Sequence, residues 1–194
     1  RLFFDISVEE LVPYIDWDPF FSSWELHGKF PKIFDDKLIG ESARSLWSDA
    51  QKMLKKIITE KISQPIAILG FWPANSVDDD IEIYEDESRK TIISKFFFLR
   101  QQMQRKSSAR ANFCLADFVA PKSSGISDYL GFFVVTAGEG IEKQSTEYEL
   151  KKDDYNSILL KSLGDRIAEA LAEKMHEKVR RELWGYSKDE LLSN

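Results

Sequence analysis

From Leu160 to Leu183 the residues Leu160, Leu163, Ile167, Leu171, Met175, Val179 and Leu183 recur every three or four positions, and the pattern closes near Gly185. This period predicts one long helix starting at about Asp153, whose apolar stripe needs another element to cover it. A second helical pattern runs from Glu41 to Ile62 through Ala43, Leu46, Trp47, Ala50, Met53, Leu54, Ile57 and Ile58, and stops before Pro65. Between the two helices the period shortens. Pro65 to Trp72 suits a buried strand, Pro73 to Ser76 a turn, Ile81 to Tyr84 a half-exposed strand and Ile92 to Phe98 a further strand. Asp128 to Thr136, β-branched and aromatic, suits a central strand. Leu99 to Gln102 suits a helical turn or loop, and Cys114 to Val119 a short apolar strand stopped by Pro121 and the Ser123-Ser124-Gly125 turn. At the start, Ser7 and Glu10 form a capping pair ahead of Leu11. Pro19 should push Asp18 out of the helical region, and Gly28 to Pro31 should turn. These hairpin-like steps, without regular βαβ units, predict an α+β fold with a largely antiparallel sheet. With no repeat and no low-complexity linker, residues 1–194 read as one domain.

Charge and composition narrow the function. Acidic residues outnumber basic ones, 33 to 27, for a net charge of −6, which argues against nucleic acid or an anionic membrane as partner. The 14 Phe, 5 Trp and 6 Tyr supply more burial than a disordered chain carries. No apolar run approaches the roughly 18 residues of a spanning helix, and no signal-peptide pattern opens the chain. The lone Cys114 can form no internal disulfide, so the expected setting is soluble and cytoplasmic. His27, His176 and Cys114 are too few to build a transition-metal site, so no metal is expected on this chain. Phosphate-cradling glycine loops and the G-x-S-x-G elbow are absent from the sequence. A first residue of Arg1 instead of Met suggests a piece of a longer chain.

Three groups of carboxylates stand out. Asp78, Asp79 and Asp80 with Glu82 could hold a hard cation, or simply face water in a turn. A metal-dependent hydrolase built on them would lack a base or nucleophile. Asp165 and Glu169 lie one helical turn apart on one face, where they either meet a cationic ligand or form a solvated surface with Lys161 and Arg166. Asp16 sits among Tyr14, Trp17, Phe20, Phe21 and Trp24, as an Asx-turn or as the partner of a positively charged ligand.

An ordered set of segments resembles the activation domain of cobalamin-dependent methionine synthase. It begins with Ile15-Asp16-Trp17-Asp18-Pro19-Phe20-Phe21, Gly28-Lys29-Phe30-Pro31-Lys32-Ile33 and Phe71-Trp72-Pro73-Ala74-Asn75. Asp79-Asp80-Ile81-Glu82-Ile83-Tyr84, Leu99-Arg100-Gln101-Gln102 and Cys114-Leu115-Ala116-Asp117-Phe118-Val119-Ala120-Pro121 follow. Ser124-Gly125, Asp128-Tyr129-Leu130-Gly131, Asp153-Asp154-Tyr155-Asn156, Asp165 to Ala170 and His176 to Tyr186 complete it. No one motif is diagnostic, but the order and spacing from about Val12 to Tyr186 are specific to that family.

The resemblance implies a C-shaped α+β domain with a twisted, largely antiparallel sheet flanked by helices. Such a domain binds S-adenosylmethionine and docks on the cobalamin-binding domain of the same polypeptide. There it supports reductive methylation of cob(II)alamin to methylcobalamin, with one electron from a flavodoxin-type or flavoprotein reductase donor. The resemblance places the chain within a 5-methyltetrahydrofolate–homocysteine methyltransferase, with no catalytic residue of its own and no activity when isolated. By family position, Asp16 and Glu169 are expected to hold S-adenosylmethionine between carboxylates and aromatic walls, and Asp165 to face the cobalamin domain. The family continues into an Arg-Pro-Ala-Pro-Gly-Tyr-Pro stretch that this sequence lacks. About the last third of the family domain is therefore expected to be missing, and ligand binding to be weakened. The competing expectation is a docking domain that caps cobalamin or recruits the electron donor without binding S-adenosylmethionine.

Overall fold

The computed structural model describes residues 2–104 and 111–190. Its strands are β1 (Leu2–Asp5), β2 (Ile66–Val77), β3 (Asp80–Tyr84), β4 (Ile92–Phe97) and β5 (Asp128–Thr136). Its helices are α1 (Val8–Leu11), α2 (Asp18–Ser23), α3 (Gly40–Thr59), α4 (Glu139–Leu150) and α5 (Asp154–Lys178). The sheet has the order β1-β2-β3-β4, with β5 pairing with β2 off this path. The β2–β3 and β3–β4 pairs are antiparallel, which is the α+β arrangement expected. No helix among the described residues is long and apolar enough to cross a membrane.

Two compact units divide the chain: Arg1–Leu2 with Leu69–Phe133, and Phe3–Ile68 with Val134–Asn194. In the first, Ala74, Ile81, Ile83, Cys114, Ala116 and Val119 form the core, with Trp72, Phe98, Leu130 and Phe132 packed against it. β3 is buried from Ile81 to Tyr84 instead of half-exposed, because Glu82 is neutralised in place by Lys122 at 2.8 Å and by the Tyr84 hydroxyl. β2 continues through the expected turn at Pro73 to Val77. The β2–β3 register starts at Ala74↔Ile83, so the missing proline donor falls outside that ladder. Cys114 to Val119 is a 3-10 turn (Leu115–Phe118) and not a strand, since the Asp117 carboxylate caps the Cys114 N–H at 2.9 Å. β5 has the expected span, but none of its residues is fully buried, and the longest and most connected strand is β2.

The second unit is organised by α5. Leu159, Leu160, Leu163, Ile167, Leu171 and Met175 are all buried on it, and α1, α2, α3 and α4 pack against it. A side chain at Gly164 would lie 2.9 Å from Ile141, so glycine is what lets α4 approach α5 closely. The buried Ser145 and Ser157 hydroxyls join the same two helices at 2.8 Å. Ser7 caps α1 by accepting from the Glu10 N–H, as expected. Pro19 starts α2 instead of breaking a helix, since its missing donor costs nothing in a first turn. Trp17, Phe20, Phe21, Phe30, Phe34 and Trp47 interlock edge-on and stacked, with Trp17 and Trp47 4.5 Å apart and Phe30 and Trp47 4.9 Å apart. Phe21 is fully buried at the centre of this cluster. Phe21→Ala should therefore destabilise the fold by roughly 3–5 kcal/mol in urea denaturation. A loss below about 1 kcal/mol would show that the neighbouring rings collapse into the space.

Candidate functional site

Asp16 lies in the short link between the 3-10 turn Val12–Tyr14 and α2, with its carboxylate exposed. Its Oδ1 accepts the Asp18 N–H at 3.0 Å, so the Asx-turn anticipated as one of its two roles is formed. The other oxygen has no protein donor among the described residues. Asp18 is fully engaged: one oxygen takes the Phe30 N–H at 2.7 Å and the other meets Lys29 Nζ at 2.9 Å. These contacts hold the Asp18 carboxyl below its ordinary range, the Phe30 N–H first and Lys29 next. Trp17, Phe20 and Phe21 turn inward, and of the aromatics from Trp17 to Trp24 only Trp24, set edge-on against the exposed Tyr155, keeps exposed ring surface.

Asp165 and Glu169 are both exposed on α5, one turn apart and turned away from buried Leu163 and Ile167. Neither has an ion-pair partner among the described residues. Lys161, expected beside them, pairs instead with Glu149 at 2.7 Å. The segment carrying Asp16 is tied to α5 on both sides. Before it, the Tyr14 hydroxyl donates to Glu177 at 2.5 Å, Lys174 sits over the Tyr14 ring, and Lys174 pairs with Glu10 at 3.5 Å. After it, Trp24 meets Tyr155. The Glu177 hydrogen bond, aided by burial, pushes the Tyr14 hydroxyl up to about 12, and Tyr14 and then Arg181 hold Glu177 below its usual range. Sequence reasoning did not single out Tyr14 or Glu177. The only local signal was the acid–base spacing of Glu177 with Lys174 and Arg181.

Apart from the exposed Asp78, the acidic run in the other unit is spent on internal pairing. Arg100 bridges Asp79 and Asp117, each at 2.7 Å, and donates to the Asn112 carbonyl; Lys95 meets Asp80 at 3.1 Å; Lys122 meets Glu82. Asp79, Asp80 and Glu82 therefore each already face a cation. Among the described residues no group of three or more His, Cys, Asp or Glu side chains is placed to hold a metal ion.

The family model described as "Vitamin B12 dependent methionine synthase, activation domain" matches residues 7–194. A solved structure described as the crystal structure of the MetH reactivation domain bound to AdoHcy is similar, with a TM-score of 0.93 and 48% identity. The match covers 99% of this chain and 58% of that one, so this chain spans little more than half the length of that relative.

The Arg100 node makes a pH prediction. Arg100, with help from the Cys114 N–H, holds Asp117 at about 2, below its ordinary 3.8. A carboxyl lowered on folding contributes stability above its unfolded value and loses it as pH falls towards the folded one. Thermal melts of the chain should therefore show midpoints falling as pH drops from about 4 to about 2. Asp117→Asn should melt lower than the parent at neutral pH and converge with it at the acid end. Parallel curves across that window would remove Asp117 as the group responsible.

Proposed function

Because this chain belongs to the vitamin B12 dependent methionine synthase activation-domain family, we propose that it is the S-adenosylmethionine-binding reactivation domain of that enzyme. The observation that carries this reading is the 48% identity, over 99% of the chain, to a reactivation domain that holds AdoHcy, the demethylated form of the methyl donor. The exposed carboxylates suit such a ligand. Asp16 keeps one oxygen free of protein donors, and Glu169 stands unpaired on α5, so both can meet an ammonium or sulfonium without first breaking an ion pair. Trp24, on the segment that follows Asp16, and its partner Tyr155 keep ring surface exposed. Asp165 is assigned to the face turned towards the cobalamin-binding domain.

The bound donor supplies the methyl group, and a flavodoxin-type or flavoprotein reductase supplies the electron, for reductive methylation of cobalamin held by the partner domain. This chain's own residues bind and orient the donor, and carry out no turnover alone. The whole protein is then a cytoplasmic methyltransferase, with residues 1–194 forming part of its activation domain.

Calorimetric titration with AdoHcy tests the assignment. Asp16→Asn and Glu169→Gln should each weaken binding by roughly 1.5–3 kcal/mol, about ten- to a hundredfold. The melting temperature should hardly change, because an exposed carboxylate contributes little to folding. Unchanged affinity together with a lower melting temperature would make both residues structural and sink the assignment.

A further inference from the structure

We propose that Tyr14 and Glu177 are positioning residues, whose hydrogen bond fixes the Asp16 segment along α5 and so sets Asp16 relative to Glu169. The inference rests on the reading of Asp16 and Glu169 as ligand carboxylates. Asp16 has little that holds it directly: it is exposed, and its one hydrogen bond, to the Asp18 N–H, is local. Its place must be set by its neighbours. On the C-terminal side Trp17 is packed in the aromatic cluster and Asp18 holds the Phe30 N–H and Lys29, but none of these partners lies on α5. On the N-terminal side the Tyr14 hydroxyl meets Glu177 at 2.5 Å, a directional, charge-assisted bond between residues 163 positions apart.

Tyr14 is two residues from Asp16. Glu177 is two turns beyond Glu169 on the same continuous helix, about 12 Å along its axis. A rigid helix carries the position of Glu177 to Glu169, so the bond ties one carboxylate to the other through two short, stiff paths. Glu177 is itself held from below by Arg181 at 2.6 Å, and the Tyr14 ring is covered by Lys174, which limits the freedom of both partners. A misplacement of about 1 Å is enough to forfeit a contact that depends on orientation.

A double-mutant cycle read by AdoHcy titration of the full 194-residue chain, up to millimolar ligand, tests this. Tyr14→Phe removes the hydroxyl but keeps the ring under Lys174, and should weaken binding about five- to tenfold. In the Asp16→Asn background the same change should have almost no further effect, because Tyr14 acts through Asp16. A purely structural role would lower the melting temperature without this coupling. Glu177→Gln, which keeps an acceptor oxygen but gives up the charge and the Arg181 ion pair, should weaken binding, though less than Tyr14→Phe; should Tyr14→Phe not fold, Glu177→Ala supplies the same cycle. Weakening by Tyr14→Phe that adds in full to that of Asp16→Asn overturns the proposal, as does no weakening when Asp16→Asn alone weakens binding. If the parent does not bind, or Asp16→Asn binds as tightly as the parent, the ligand-site reading itself fails and this inference falls with it.

Discussion

The second unit depends on burying one face of α5. Its apolar positions from Leu159 to Met175 are covered by α1, α2, α3 and α4, and no other helix in the unit touches so many elements. The opposite face is thereby left to solvent over the same length. Asp165 and Glu169 are on that outer face because Leu163, Ile167 and Leu171 are on the inner one. The core thus fixes both the height and the direction from which the two carboxylates project. Fully burying each of these side chains is worth roughly 1.5–3 kcal/mol, so a rotation of α5 that buried the carboxylates would be opposed by several such terms together.

The other unit solves a different problem. It concentrates acid around the β2–β3 connection and must hold it close to an apolar core. It does so by spreading three cations over four carboxylates: Lys95 to Asp80, Lys122 to Glu82, and Arg100 to Asp79 and Asp117 together. The planar guanidinium is the group suited to bridging two carboxylates, which a single ammonium could not grip in the same way. Of the four carboxylates that look like a cation trap in the sequence, Asp79, Asp80 and Glu82 are, in space, already paired, and Asp78 faces solvent.

Legibility in the sequence followed how local the cause was. α3, α5 and β5 were readable because period and composition decided them: Leu160, Leu163, Ile167 and Leu171 could form only one kind of stripe. The 12-residue α4 was not anticipated. Its only buried residues are Ile141 and Ser145, and it is held by a serine pair and by the clearance at Gly164, neither of which leaves a hydrophobic period. Cys114 to Val119 reads as a strand by composition. It turns because Asp117 caps Cys114 while Arg100, far along the chain, holds Asp117. Asp16 and Glu169 were reached through the family resemblance, since spacing alone left each with two readings. Tyr14 was legible only as part of the aromatic patch around Asp16, and Glu177 only through its spacing with Lys174 and Arg181; their pairing was not, because the bond exists only once α5 and the first turns have packed.

The exposed carboxylates of α5 have a consequence for how such a chain changes over time. Selection that preserves the fold acts on Leu163, Gly164 and Ile167, where a wrong side chain is felt throughout the packing. It is nearly blind to Asp165 and Glu169, whose replacement disturbs no neighbour. Fold and ligand recognition are therefore written on opposite sides of one helix and can drift apart: a descendant could keep every contact of the core while its outer face is rewritten for another ligand or for none.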